Sequence, residues 1–202
     1  IQLLKYKKKY LSNLKLSWIG GNKYISKKIK TSELFNEKLH RNFTIYNTIE
    51  KFNFSKHEIR NFKIEKNLNN FDLILLYTGI KLSDKRKGIE DLKKCIYRIS
   101  KFSKKNYKIA LVTVGSNPEL KIHSQYVKHI HFNFIYDFKN LSLLFRSCNI
   151  FLNLSKSDFG PVLCEIAFVN GLFILSSNVG VAKEIVINNY NGYIYFNEKD
   201  LI

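Results

Sequence analysis

From residue 71 onward, short apolar runs alternate regularly with segments of helical periodicity. The apolar runs are predicted as strands over 72–77, 107–114, 127–135, 149–154, 172–176 and 192–196. Helices are predicted between them over 88–104, 141–146, 160–170 and 181–187. The first of these helices is amphipathic, with an apolar face formed by Ile89, Leu92, Ile96 and Ile99.

Apolar strands alternating with helices are typical of a parallel sheet covered on both faces. The predicted fold class is therefore α/β, a Rossmann-like open parallel sheet with helices on both faces. In such sheets ligands bind beyond the carboxyl ends of the strands. Three segments are predicted there, 79–88, 115–119 and 155–165. None of them contains a dinucleotide-binding glycine fingerprint or a Walker-type phosphate loop.

The first 65 residues lack this regularity. Helical spacing over 11–35 is interrupted by Gly20 and Gly21, and 42–49 alternates like a strand. We therefore predict a ligand-binding domain over 66–202, preceded by a partly helical remnant of, or linker from, another domain over 1–65. The sequence contains no methionine, even at position 1, and its simplest interpretation is a fragment of a longer protein.

Composition and charge narrow the function classes. The 202 residues are 45% hydrophobic and 14% aromatic, which excludes a disordered or collagen-like chain, and no apolar run approaches the ~20 residues of a membrane-spanning helix. The net charge of +18 is concentrated in the first half, since residues 1–105 carry 26 basic and nine acidic side chains. Only five basic residues are arginine, the type that favours base and phosphate recognition, so nucleic-acid binding is the less favoured interpretation. The lysines also suit contact with anionic lipid.

The cysteines and histidines form no recognisable site in the sequence. Cys95, Cys148 and Cys164 have neither metal-ligand nor disulfide spacing, so we expect buried thiols in a reducing compartment. The histidines are expected to be structural or solvated: His40, His57, His123, His129 and His131.

The most informative segment is 155–165, Ser-Lys-Ser-Asp-Phe-Gly-Pro-Val-Leu-Cys-Glu. A strand is predicted to end at its start, and Gly160 and Pro161 then form a tight turn into a helix. The free N–H groups of the first helical turn, together with the helix dipole, form an anion site. Asp158 and Glu165 add acceptors, which suits a ligand with phosphate and hydroxyl groups, such as a nucleotide sugar. The structural alternative is an Asp158 N-cap and a solvated Glu165.

The second segment, 79–88, carries four basic side chains at the start of a helix. A diphosphate bound between this loop and the Gly160 turn would meet point charges on one side and amide dipoles on the other. For this segment alone, a solvated basic loop is the alternative.

At these residues the chain resembles glycosyltransferase family 4, retaining enzymes of GT-B fold that use nucleotide-diphosphate sugars. The resemblance covers roughly 18–202 and corresponds to the carboxy-terminal, donor-binding half. Its parts follow the family's order: the strand 72–79, Lys87-Gly88, the segment 145–155, Phe159-Gly160-x4-Glu165, the helix start 177–184 and Asn191-Gly192. The run Asp-Lys-Arg-Lys-Gly at 84–88 is similar to a subgroup that makes exopolysaccharides.

The resemblance implies the following roles. The catalytic residues would be Lys87, Arg86, Asp158 and Glu165: the two cations contact the donor diphosphate, and Glu165 binds the ribose hydroxyls. Asp158 and Ser157 would hold the sugar. The other implied substrate-binding residues are Gly79, Phe159, Gly160, Pro161 and Val162. The resemblance implies neither a cofactor nor a metal, because the nucleotide-diphosphate sugar is a co-substrate.

Four positions depart from the family's pattern. Ser157 replaces the first acid of E-x7-E, Ile80 an arginine, Val181 a glycine and Lys183 a proline. Asp158 follows Ser157 directly and is the candidate substitute for that acid. In a competing register Asp158 is the first acid and Ile166 stands at the second.

The function implied is that of a retaining hexosyltransferase, present here as a fragment. It would transfer a sugar from a UDP- or GDP-sugar to a lipid-linked or polysaccharide acceptor in cell-surface polysaccharide biosynthesis, with acceptor groups supplied by an amino-terminal domain of the same protein. The expected location is the cytoplasm, with peripheral contact at the inner face of the plasma membrane. The alternatives are a non-catalytic Rossmann-like binding module, a basic nucleic-acid-binding domain, or another GT-B enzyme such as a nucleotide-sugar epimerase.

Overall fold

The structure, a computed structural model, describes residues 2–102, 107–116, 124 and 126–197. The chain divides by its internal contacts into two compact units, residues 1–48 and residues 49–202.

The smaller unit is a pair of parallel strands with two helices. Its elements are α1 (Gln2–Leu11), β1 (Leu16–Gly20), α2 (Lys23–Lys30) and β2 (His40–Thr44). The helical spacing predicted over 11–35 is therefore wrong for β1, whose side chains alternate between more and less exposed positions. The end of β1 lies close against α2: a Cβ on Gly20 would lie 2.6 Å from the backbone nitrogen of Ser26, so this approach requires glycine.

The larger unit is built on a six-stranded, wholly parallel sheet. Its elements are α3 (Lys56–Glu65), β3 (Leu73–Lys81), a 3-10 turn (Lys85–Lys87), α4 (Ile89–Phe102), β4 (Ile109–Ser116), β5 (Val127–Phe132), α5 (Phe138–Arg146), β6 (Ile150–Asn153), α6 (Val162–Val169), β7 (Phe173–Ser177), α7 (Ala182–Ile185) and β8 (Gly192–Tyr195). The strand order is β5-β4-β3-β6-β7-β8. The order reverses beside β3, from which the chain first builds outward through β4 and β5 and then returns to place β6 on the other side. This switch point is where an open parallel sheet opens a crevice for ligands.

Helices cover both faces of this sheet. On one face β3 packs with α4, and Leu75, Leu92 and Ile96 are fully buried. On the other face Ile74 packs among residues of α3, α5 and α6, with Leu144 among them. The predicted fold class, a Rossmann-like parallel sheet with helices on both faces, is confirmed.

The strand boundaries differ from the prediction by a few residues. β3 continues beyond Gly79 to Lys81, with an irregularity in its pairing to β4 after Thr78. A Cβ on Gly115 would lie 1.8 Å from the carbonyl oxygen of Gly79, so this close approach requires glycine. The extension of β3 depends on this contact between strands, which hydrophobic periodicity does not report.

The helices are short. In the described part of the chain α4 is the longest, with 14 residues, while α7 has four. No helix within the described ranges is long and apolar enough to cross a membrane.

The division of the chain lies earlier than the predicted boundary at residues 65 and 66. The larger unit begins at Ile49 and includes α3, because Phe62 on α3 is buried in the same core as Ile74 and Leu144. A capping box stabilises the start of α3, in which Ser55 accepts from the Glu58 amide and the Glu58 carboxylate accepts from the Ser55 amide. The division by internal contacts therefore falls before α3, whereas the predicted boundary follows this helix.

Candidate functional site

Two loops meet at the switch point, one after β3 and one after β6. Gly88, which ends the 3-10 turn, has a left-handed φ of +79°. A Cβ at this position would lie 1.9 Å from the carbonyl oxygen of Leu154, so only glycine permits the approach. The Lys156 amide donates to the Arg86 carbonyl at 2.8 Å, which joins the two loops directly.

The floor of the site fixes the backbone beside Lys87. The Tyr77 hydroxyl donates to the Lys87 carbonyl at 3.1 Å. Burial, followed by the charges of Asp84 and Asp91, raises the pKa of Tyr77, so its hydroxyl remains a neutral donor at physiological pH. Tyr77 thus holds the main chain from which the Lys87 side chain extends.

An ion pair spans the two loops. The Lys87 ammonium lies 2.6 Å from Oδ2 of Asp158, while Oδ1 of the same carboxylate accepts from the Gly160 amide at 3.2 Å. The side chains are 37% exposed for Lys87 and 15% exposed for Asp158. The Asp158 carboxylate therefore joins the Lys87 ammonium to the Gly160 amide, the two groups predicted to lie on opposite sides of a bound diphosphate.

A cavity of about 210 Å³ opens beside this ion pair. It is lined by Tyr77, Thr78, Lys87, Phe151, Leu152, Asn153, Leu154, Ser155, Asp158, Gly160, Pro161, Val162 and Leu163. Five of the predicted site residues belong to this lining: Lys87, Asp158, Gly160, Pro161 and Val162.

A third loop, after β7, supports the Gly160 turn. Gly180 has a left-handed φ of +51°, and a Cβ there would lie 2.7 Å from Cδ of Pro161 and 3.0 Å from the Phe159 carbonyl oxygen. The Ser177 hydroxyl donates to the Ser155 carbonyl. Contacts with the end of β7 and with the loop after it thus fix the path of residues 155–161.

The start of α6 does not match the alternative in which Asp158 is the helix N-cap and Glu165 is solvated. Pro161 occupies the N-cap position without a side-chain cap, so Asp158 is not the cap of this helix. Glu165 is 7% exposed, which excludes a solvated carboxylate, and it does not line the cavity. A buried carboxylate at one helical turn from the Gly160 turn remains a candidate ligand for hydroxyl groups.

Arg86 does not line the cavity. Its guanidinium forms a bidentate pair with Asp84, with Nη2 at 2.7 Å and Nε at 3.2 Å from the carboxylate oxygens, and its side chain is 78% exposed. This hydrogen bonding lowers the pKa of Asp84 and raises the pKa of Arg86. The structure therefore brings Lys87, and not Arg86, to the cavity.

Three further predicted residues lie outside the cavity lining. Ser157 and Phe159 are exposed on the loop after β6. Gly79 is buried in β3, where its carbonyl lies beneath Gly115.

Several lining residues were missed in the sequence because strand residues give no motif. Thr78 precedes the irregular last residues of β3, and Asn153 is the last residue of β6. The Asn153 amide donates to the Ser176 hydroxyl at 2.8 Å. Oγ1 of Thr78 is buried without a hydrogen-bond partner among the described residues. Strand order alone would have identified these positions.

None of the cysteines and none of the histidines in the described ranges belongs to the cavity lining. The Thr113 hydroxyl lies 2.8 Å from Nε2 of His129 and 3.0 Å from Nδ1 of His131. Burial, and to a lesser extent the charge of His131, lowers the pKa of His129. All three cysteines are free and buried, as predicted. His123 and residues 117–119 lie outside the described residues.

No group of three or more His, Cys, Asp or Glu side chains within the described ranges could hold a metal ion.

The strand order, the glycine-dependent contact between loops and the cavity at the switch point together define a Rossmann-like domain. Within that class, residues 58–201 match the family described as glycosyl transferases group 1, and the chain belongs to this family. No curated protein sequence matches the chain.

Solved structures show the same fold at low sequence identity. Sucrose-phosphate synthase from Thermosynechococcus elongatus has a TM-score of 0.70 and 20% identity, over 99% of this chain and 50% of its own. Anabaena HepE in complex with UDP-glucose has a TM-score of 0.72 and 15% identity, over 99% of this chain and 56% of its own. A glycosyltransferase from Rickettsia africae has a TM-score of 0.70 and 16% identity, over 98% and 54%. The chain thus spans about half the length of the structures that it matches.

Proposed function

We propose that this chain is the donor-binding half of a retaining glycosyltransferase of family 4. The donor is a UDP- or GDP-sugar, and the acceptor is lipid-linked or a polysaccharide of the cell surface. The observation that carries the proposal is that the Lys87 ammonium and the Gly160 amide face one cavity at the switch point. Membership of the group 1 family supports the reaction class.

Electrostatic stabilisation of the leaving group is the main contribution of this half to the reaction. As the bond between sugar and diphosphate breaks, negative charge develops on the departing oxygen. Lys87 and the amides at the start of α6 are held in place beforehand by Gly88 and Gly180, so they need no reorganisation when that charge appears. Because these groups supply fixed positive charge, we propose that donor binding needs no metal ion.

Two carboxylates position the rest of the donor in this proposal. Glu165 accepts from the ribose hydroxyls, and Asp158, with Ser157 beside it, accepts from hydroxyls of the sugar. Phe159, next to the Gly160 turn, adds an exposed aromatic surface to the same loop. Acceptor groups come from an amino-terminal domain of the same protein.

The basic smaller unit fits a peripheral location. Residues 1–48 carry eleven basic and two acidic side chains. Such a surface is attracted to anionic lipid by about 1 kcal/mol per well-placed lysine. We propose that the protein acts in the cytoplasm, at the inner face of the plasma membrane, near a lipid-linked acceptor.

A binding module without transfer activity is the second candidate. Ser157 stands at the position of the first family acid, and its hydroxyl cannot replace a carboxylate in charge. Such a module would retain nucleotide-sugar binding through Lys87 and the Gly160 turn and would turn over no donor.

A titration followed by a transfer assay tests the proposal. UDP, GDP, UDP-glucose, GDP-mannose and uridine are titrated into the full chain by calorimetry, with and without EDTA. We expect diphosphates and their sugars to bind, uridine to bind far more weakly, and EDTA to change nothing. Transfer of radiolabelled sugar is then measured with the full-length protein and membrane extract. Binding without any transfer supports the second candidate, and equal affinity for uridine and UDP contradicts both.

A further inference from the structure

In the structure, the Lys87 ammonium and the Gly160 amide already bind a carboxylate of the protein itself, that of Asp158. The two oxygens of Asp158 reach the Lys87 ammonium at 2.6 Å and the Gly160 amide at 3.2 Å. A phosphate group bound here would need the single N–H of the Gly160 amide, which already donates to Asp158, and a place beside the same ammonium. The carboxylate and a bound phosphate therefore compete for one position.

We propose that the Asp158 carboxylate is an internal ligand of the anion site, which the donor diphosphate must displace. The inference rests on the proposed function, and it assigns to Asp158 a step that precedes any contact with the sugar.

The size of the cavity favours displacement over addition. With Asp158 in place the cavity holds about 210 Å³, below the roughly 300–1,000 Å³ of small-molecule sites. Two anions on one ammonium would also repel each other, at a cost comparable to that of paired carboxylates. Rotation of the Asp158 side chain away from Lys87 removes both obstacles.

We expect the Asp158 side chain, and not the loop that carries it, to move in this exchange. A Cβ on Gly180 would lie 3.1 Å from the Asp158 carbonyl oxygen, so the main chain here is closely packed. The ion pair is partly solvated, since 37% of the Lys87 side chain is exposed. Partly exposed ion pairs are weak enough to be exchanged for a ligand.

The exchange gives Asp158 a part in selecting the ligand. A diphosphate that carries a sugar offers the hydroxyls of that sugar to the released carboxylate, whereas a free nucleoside diphosphate has only its ribose hydroxyls, which the proposed function assigns to Glu165. After transfer, the carboxylate loses those hydroxyls and returns to Lys87, which favours release of the nucleoside diphosphate. Asp158 would thus weaken the binding of product relative to donor.

The test replaces Asp158 by an uncharged residue of the same shape. Asp158→Asn retains an oxygen that accepts from the Gly160 amide, so the turn keeps its hydrogen bond. The matched control is Glu90→Gln, which removes the same charge from an exposed pair with Lys93 (2.9 Å) on α4. Pyrophosphate, UDP and UDP-glucose are titrated into the full chain and both variants, and each unfolding midpoint is measured.

We expect Asp158→Asn to bind pyrophosphate and UDP about tenfold more tightly than the parent protein, because a competing anion has been removed. Glu90→Gln should remain within twofold for both ligands. UDP-glucose should gain less than UDP does, because the variant loses the carboxylate that would accept from the sugar.

The outcomes separate this inference from the proposed function. If UDP-glucose binds the parent protein but Asp158→Asn gains nothing for UDP or pyrophosphate, the internal ligand is refuted and the proposed function stands. If Asp158→Asn gains affinity for pyrophosphate while no nucleotide binds either protein, the internal ligand stands and the proposed function is refuted. Absence of binding by every anion refutes both.

Discussion

Gly88 lies directly against the carbonyl oxygen of Leu154. The contact joins the loop after β3 to the end of β6, and it places Lys87 across the switch point from Asp158. Because a Cβ at position 88 would lie 1.9 Å from that oxygen, the geometry of the ion pair depends on the absence of a side chain one residue away.

Gly88→Ala should therefore destabilise the larger unit and separate the two loops. The substitution combines a left-handed φ with a backbone clash, and we expect a loss of at least about 2 kcal/mol in the free energy of unfolding. The control is Gly79→Ala, whose Cβ would meet its nearest atom at an ordinary 3.7 Å. Urea titration measures both variants. An unfolding free energy for Gly88→Ala equal to that of the control would contradict the packing described here.

Lys87→Ala should reduce turnover in the full-length protein by roughly 10²-fold, the scale of losing one preorganised electrostatic group. The control is Lys85→Ala, which removes the same charge from the same 3-10 turn at an exposed position outside the cavity lining. The initial rate of sugar transfer at saturating donor is the measurement. Turnover within twofold of the parent would remove Lys87 from the mechanism.

Arg86→Met should affect UDP binding much less than Lys87→Met does. The Arg86 guanidinium is bonded to Asp84 and is largely exposed, while Lys87 lines the cavity. We expect at most about a threefold loss of affinity for Arg86, as for a screened surface charge. Calorimetric titration of UDP compares the two variants. Equal losses would mean that Arg86 leaves Asp84 on ligand binding and acts as the second cation that the sequence predicted.

Glu165→Gln should weaken UDP by about tenfold through the loss of charge-assisted hydrogen bonds to the ribose. The affinity for pyrophosphate should be unchanged, because it has no ribose. A UDP analogue without the 2′ and 3′ hydroxyls should bind the parent and the variant equally. A loss of affinity that is the same for all three ligands would instead assign a structural role to this buried carboxylate.

The three thiols should be unreactive toward a disulfide reagent in the folded protein. Burial raises the pKa of Cys95 to about 11 and that of Cys148 to about 12, and it also raises the pKa of Cys164. The reactive thiolate is therefore scarce below pH 9 in the native state, and the free energy of unfolding should fall as the pH rises above ~8.5, where unfolded thiols ionise. Titration with a disulfide reagent at pH 8 should detect three thiols only in denaturant. Rapid native labelling of any of them would contradict its burial.

Much of the fold could be predicted because a buried parallel strand is apolar over its whole length. β3, β4 and β6 each begin with an uninterrupted apolar run, 73–77, 109–112 and 150–152, and burial on both faces leaves these runs no polar alternation. The hydrophobic pattern does not show which core Phe62 on α3 joins, because the apolar face of an amphipathic helix can cover more than one surface. The placement of this helix in the larger unit depends on which surface it covers.

The candidate site was predicted in part. The loops that carry Lys87 and Gly160 have local signals, a lysine before glycine and a strand followed by a glycine-proline turn, and the structure brings them to one cavity. The pairing of Arg86 with Asp84 was not predicted, because rotamer choice depends on contacts and not on spacing. Thr78 and Asn153 were missed because their importance follows only from the strand order.

The sequence by itself determined the alternation of strands and helices, the glycine-proline turn at 160–161 and the glycosyltransferase character of the family, because periodicity, turn chemistry and motif order are local properties of the chain. Only the tertiary structure decided that Asp158 occupies the space between Lys87 and Gly160. That contact joins residues 71 positions apart in sequence. The contact forms because the chain, after β4 and β5, returns to pair β6 with the other side of β3. This strand order is stabilised by helices packing on both faces of the sheet, which local sequence does not specify.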